Sequence, residues 1–141
     1  MPKADFHLLS SGDIAQRDFY LCRLCEKIYR LGHRIYILCK DSKELEHLDD
    51  LLYSFRPESF IPHSIEPESP SSDIPVFLCT RLPKTISTEV VINLTEAPPD
   101  KANRVIELVT GDPEARAKSR KVYKLYKQLG FELQTYNIES A

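Results

Sequence analysis

Glycine is scarce in this chain: four occur among 141 residues, and none falls in a GxxxxGK or GxGxxG pattern. A loop that cradles phosphate needs such glycines so that backbone N–H groups can approach the anion, which argues against a nucleotide-using enzyme. No apolar run approaches the roughly 20 residues that a membrane-spanning helix requires. The opening stretch MPKADFHLL lacks the charged and long apolar regions of a signal peptide. These absences lead to the expectation of a cytoplasmic protein without a membrane contact. Excess positive charge is missing too. Nineteen basic residues stand against 21 acidic ones, a formal net charge of −2, so a uniformly basic nucleic-acid binder is not supported. His7, His33, His47 and His63 are scattered and no GxSxG elbow is present, so no catalytic activity is expected. The single CxxC, Cys22 to Cys25, falls inside a helical pattern and has no second CxxC to complete a zinc site. All four cysteines, with Cys39 and Cys79, are therefore expected reduced and buried, with no metal and no cofactor.

What remains is ordinary globular material, 42% apolar and 28% charged in 16.2 kDa, the size of one compact domain spanning 1–141. ADFHLL (4–9) suits a buried strand. Ile14, Leu21, Leu24, Cys25 and Ile28 share one broad face of a helix that Gly32 ends. RIYILC (34–39) is a strand. Asp41 and Glu44 have capping-box spacing before a second amphipathic helix reaching about Ser54. Such alternation favours a parallel sheet covered by helices. Segment 56–75 interrupts it with five of the ten prolines and five serines, which excludes a helix or an inner strand. Phe60 and Ile61 inside that loop either tuck beneath it or face a partner. Strands follow at 75–80, 89–94 and 104–109. A last helix is marked by Asp112 as N-cap, Pro113 at its first position and Gly130 at its end, before a strand at 131–136 at a sheet edge.

That last helix holds most of the information. Residues 112–130 contain two acids and six bases, a charge of +4, which leaves −6 for the rest of the chain. At 100° per residue, Ala115, Val122, Leu125 and Leu129 form the expected buried stripe. Arg116, Arg120, Lys124 and Lys127 fall within about 80° on another face, with Tyr123 beside them. Past Glu114 the row has no acidic partner one turn away, and it stands on an otherwise acidic protein. A cationic row of this kind recognises carboxylates. The competing reading is that the same row tracks phosphates and binds single-stranded nucleic acid directly.

Three features together resemble one family. They are the opening F-x-L-L (Phe6 to Leu9), the S-F-I-P-H motif at Ser59–His63 after a helix bearing Tyr53, and the terminal R-x-x-x-R-x-x-Y-K pattern (Arg116, Arg120, Tyr123, Lys124) completed by Gly130 and Phe131. The sequence is similar over nearly its whole length to the chi subunit of bacterial DNA polymerase III. The resemblance implies a single-domain, Rossmann-like, three-layer α/β fold, with a mostly parallel sheet, helices on both faces and no phosphate-binding glycine loop. It implies a non-catalytic accessory subunit of the holoenzyme that links the clamp loader to single-stranded DNA-binding protein, touching DNA mainly indirectly. The acidic C-terminal tail of that protein would be held by Arg116, Arg120, Tyr123, Lys124 and Lys127, with Val109 as an apolar wall. A psi subunit, or a helicase-like alternative, would dock on Tyr53, Phe55, Phe60, Pro62 and His63.

Overall fold

The computed structural model describes residues 1–56, 61–66, 74–84 and 90–138. Among them, elements follow in the order β1 (Lys3–Leu9), α1 (Ile14–Arg30), β2 (Ile35–Leu38), α2 (Ser42–Ser54), β3 (His63–Ile65), β4 (Val76–Cys79), β5 (Val90–Asn93), β6 (Arg104–Val109), α3 (Pro113–Gln128) and β7 (Glu132–Ile138). The strands form one seven-stranded sheet in the order β3-β4-β2-β5-β6-β1-β7, and every pairing is parallel. This is the three-layer, Rossmann-like α/β fold expected from the sequence. No helix of the described residues is long and apolar enough to cross a membrane.

Strand residues alternate between two cores. Ile35, Ile37, Val76, Leu78 and Ile92 pack under α1 and α2, while Phe6, Tyr36, Phe77, Val91 and Val105 pack on the side of α3. Inner strands of a parallel sheet are buried on both faces, which is why they read as unbroken apolar runs. Asp13, Asp41 and Asp112 cap the three helices, their carboxylates accepting from Ala15 N, Glu44 N and Ala115 N. Gly32 and Gly130 follow the ends of α1 and α3 at φ of 88° and 85°, in the left-handed region that glycine enters without strain.

Two expectations about faces need correction. Ile14 is 54% exposed, because it begins α1 ahead of the first turn that meets the sheet. On α3, Leu125 and Leu129 are exposed, and the buried residues are Val122 and Tyr126. With Ala115 and Ser119 half-buried beside them, the seat of the helix is turned by about 45° from the stripe that counting aliphatic residues indicates. Tyr126 causes this. Its ring lies 5.8 Å from Phe6 and 4.9 Å from Phe131, and its hydroxyl donates to Glu107 Oε2 at 2.5 Å. Burying that ring is worth more than burying a leucine at the helix edge, provided its hydroxyl finds a partner.

In segment 56–75, Ile61 is fully buried in the α1–α2 core, and β3 forms a short edge strand on β4. An edge is where a proline-rich segment can join a ladder without leaving a central donor missing. Phe60 lies outside the described residues. The four cysteines are free and buried, and burial pushes their thiols up, those of Cys22 and Cys79 to about 12.

Candidate functional site

The turn of α3 carries the cationic row into place. Gly111 sits against the end of β1: a Cβ there would come within 2.4 Å of Ser10 O, and Gly111 N donates to Ser11 O at 2.8 Å. Only glycine allows the two backbones to approach this closely. From that tight turn α3 starts over the carboxyl ends of β1 and β6. Arg116 reaches down to them, donating from Nε to Thr110 O at 2.9 Å and from Nη2 to Leu9 O at 2.8 Å. In open α/β sheets this crevice is the usual ligand position; here the guanidinium stands over it. Its partners are carbonyls, so its charge is anchored without being neutralised.

Beyond Arg116, the row behaves as a free face. Arg120, Lys124 and Lys127 are exposed, and none has an ion pair among the described residues. Lys118, on the other flank of α3, is answered by Glu96 at 3.2 Å and Glu114 at 4.0 Å. The rotation of α3 also determines where Tyr123 lies. Its ring leans on Phe6 at 5.3 Å with 36% of the residue exposed, so it offers a ring surface next to the cations. Arg116, Arg120, Tyr123, Lys124 and Lys127 are thus brought together along one side of α3. Val109 is 5% exposed and lines a groove together with Lys118, Lys121, Val122 and Leu125.

Under the helix lies a group that the sequence reading did not single out. Glu107 is 7% exposed, accepts from the Tyr126 hydroxyl, and accepts from Asn93 Nδ2 at 2.7 Å. Burial raises its carboxyl to about 7, against the opposing pull of those two donors. The alternation of strand residues carries a signal here, since Glu107 falls between Val105 and Val109 on the α3 face of β6.

The second set of expected residues lies on the other side of the sheet. Tyr53 at the end of α2 is 61% exposed and its ring stands 4.5 Å from that of His63. Phe55 is half-buried and meets Phe19 of α1 edge to face at 6.1 Å. Phe19 itself is 38% exposed; an aromatic off the apolar stripe of α1 is the signal that could have found it. Pro62 is half-buried. The side chain of His63 is 1% exposed, with Nδ1 at 2.8 Å from Ile61 O and Nε2 at 2.9 Å from Asp49 Oδ1. It fastens the loop to α2 beneath Tyr53 and presents no ring to solvent. No group of His, Cys, Asp and Glu among the described residues is arranged to hold a metal ion.

Comparison with known proteins identifies a family. Residues 1–134 match the family model described as DNA polymerase III chi subunit, HolC. The chain is 38% identical to the DNA polymerase III subunit chi of Pseudomonas aeruginosa, covering 98% of each. It is 28% identical to the protein of the same name from Escherichia coli, over 96% of this chain and 97% of the relative. A third relative of that name, from Haemophilus influenzae, is 24% identical over 96% of each. On its extent and on the agreement of these matches, the chain belongs to the DNA polymerase III chi subunit family.

Proposed function

We propose that this protein is a non-catalytic accessory subunit of the replicative polymerase in the cytoplasm, joining the clamp loader to single-stranded DNA-binding protein. The face of α3 takes the acidic, phenylalanine-ended C-terminal tail of that protein. Tyr53, Phe55, Phe60 and Pro62 take a psi subunit or a helicase-like partner, with His63 beneath Tyr53 holding the loop to α2. The observation that carries this reading is the set of three exposed cations, Arg120, Lys124 and Lys127, without ion pairs among the described residues and beside the half-open ring of Tyr123. A tail of carboxylates ending in a ring requires cations and an aromatic contact side by side. Arg116 contributes long-range charge, two of its donors being committed to carbonyls.

A short acidic peptide ending in phenylalanine tests it. Binding is expected in the micromolar range, near −8 kcal/mol, and to weaken as added salt screens exposed charges over about 10 Å. Arg120→Ala is expected to lower the affinity by roughly tenfold or more, since hydrogen bonds to charged groups are worth about 1.5–3 kcal/mol. Circular dichroism should show an unchanged fold. A peptide that does not bind, or one whose affinity ignores Arg120→Ala, overturns the reading.

A further inference from the structure

The face of the sheet that carries α1 and α2 is unevenly covered. α1 packs on β2 and β6, and beyond it β1 and β7 line a groove of about 950 Å³. Its helical wall is one stripe of α1, formed by Tyr20, Arg23, Leu24, Lys27, Ile28 and Leu31, spaced at i, i+3, i+4, i+7, i+8 and i+11. Its floor is the sheet, where parallel register sets His7 of β1 level with Tyr136 of β7.

Three rings meet on that floor. The His7 ring stands 5.5 Å from Tyr136 and 5.9 Å from Tyr20, and its Nδ1 shares a hydrogen bond of 2.6 Å with the Tyr20 hydroxyl. Tyr136 keeps 44% of its surface open. Burial lowers the pKa of His7 below its usual value, Asp5 working against this while Lys27 and Arg104 add to it. At neutral pH the imidazole is therefore uncharged and serves as ring surface.

The charges around the rings do not cancel. Asp5 is answered by Arg104 at 3.0 Å, and Glu26 by Arg56 and by Arg30 at 3.5 Å. Arg23 and Lys27, exposed and one turn apart, have no ion pair among the described residues. Two free cations above an open aromatic cluster, on a protein of net charge −2, select a ligand that is both anionic and planar. An acidic peptide without an aromatic residue would use the cations and leave the rings idle.

We propose that this groove is a nucleotide subsite, holding a base against the Tyr136 and His7 rings and its phosphate between Arg23 and Lys27. The nucleotide is either free or one unit of a single strand, since both present the same base and phosphate. Stacking on aromatic side chains is tolerant of base identity, and residues one helical turn apart have Cβ atoms about 5–6 Å from each other, so two long cationic side chains rooted there can reach one phosphate. The site lies on the opposite side of the sheet from α3 and stands independently of the acidic-tail reading.

The test uses the full chain, a fluorescent oligothymidylate read by anisotropy, and thymidine monophosphate read by calorimetry. Both are titrated onto the wild type, the Arg23→Gln/Lys27→Gln double variant, Tyr136→Val, and Lys124→Ala on α3. The wild type is expected to bind at low salt, with affinity reduced at least tenfold in the double variant and severalfold in Tyr136→Val, and unchanged in Lys124→Ala. If the strand binds, the slope of log K against log salt should become shallower by about 0.7 in the double variant, the contribution of the one phosphate that the two cations share. Monophosphate binding with the same dependence on Arg23 and Lys27 identifies a free nucleotide as sufficient; binding of the oligomer alone identifies a strand unit. Melting curves establish that the variants are folded. If neither ligand binds, or if Lys124→Ala removes binding while the groove variants keep it, the proposal is overturned.

Discussion

Glu107 shows what one carboxyl does to an otherwise apolar core. Buried under α3, it is held by Tyr126 and Asn93, and burial dominates its titration, raising it from 4.5 to about 7. The native state therefore binds a proton that the unfolded chain releases near pH 4.5. Stability is fully present below that pH and falls as pH rises towards 7, since the folded protein must then ionise a buried acid. Over that window the loss is about 3 kcal/mol, at 1.36 kcal/mol for each unit of pKa difference. Glu107→Gln keeps an acceptor for both donors and cannot ionise. It should match the wild type in urea denaturation at pH 5 and exceed it at pH 8 by an amount of that order. Equal slopes of stability against pH in the two proteins would show that Glu107 is already ionised without penalty. Nothing in the sequence around Glu107 distinguishes it from a surface acid except its place in the alternation of β6, because the partners that hold it come from β5 and α3.

Elements were far more legible than the faces they bury. Cap residues, glycine stops and apolar runs locate β1, α1, β2, α2, β4, β5, β6, α3 and β7 to within a few residues, because those signals are local. The cationic face of α3 was legible for the same reason: angular spacing is a property of the helix itself. The seat of α3 was not. It depends on which side chain fills the space above Phe6 and whether a polar tip there finds a partner, and Tyr126 meets both conditions only in the assembled sheet. The contacts of His63 were not legible for the same reason, since its partner Asp49 is on α2 and the two meet only through tertiary packing. The corrected seat has a direct consequence for mutation. Val122→Ala should destabilise the protein by about 1–2 kcal/mol, as loss of buried methyl groups does. Leu129→Ala, at a position 61% exposed, should change stability by less than about 0.5 kcal/mol. Chemical denaturation of the two variants decides this, and the reverse order would restore the stripe through Leu125 and Leu129.

At the scale of the whole molecule, the sheet separates two chemistries. On one side, α3 presents Arg120, Lys124 and Lys127, without ion pairs among the described residues, and Arg116 anchored on two carbonyls. On the other, the end of α2 presents Tyr53 over His63 and Phe55 against Phe19, and the acids of α2 contribute much of the negative charge that offsets α3. The proposed adaptor role requires that one engagement neither block nor alter the other. Residues far apart with no shared partner act additively, within about 0.3–0.5 kcal/mol. The fully parallel sheet stands between the two layers. Tyr53→Ala is therefore expected to weaken a psi-like partner on the α2 side, because an exposed aromatic anchor is removed, and to leave the affinity for the acidic peptide within about twofold. Arg120→Ala should show the converse pattern. Measuring both ligands against both single variants and the double variant gives the coupling directly. A peptide affinity that shifts tenfold in Tyr53→Ala would mean that the two faces communicate through the sheet, and the protein would then be a switch between partners.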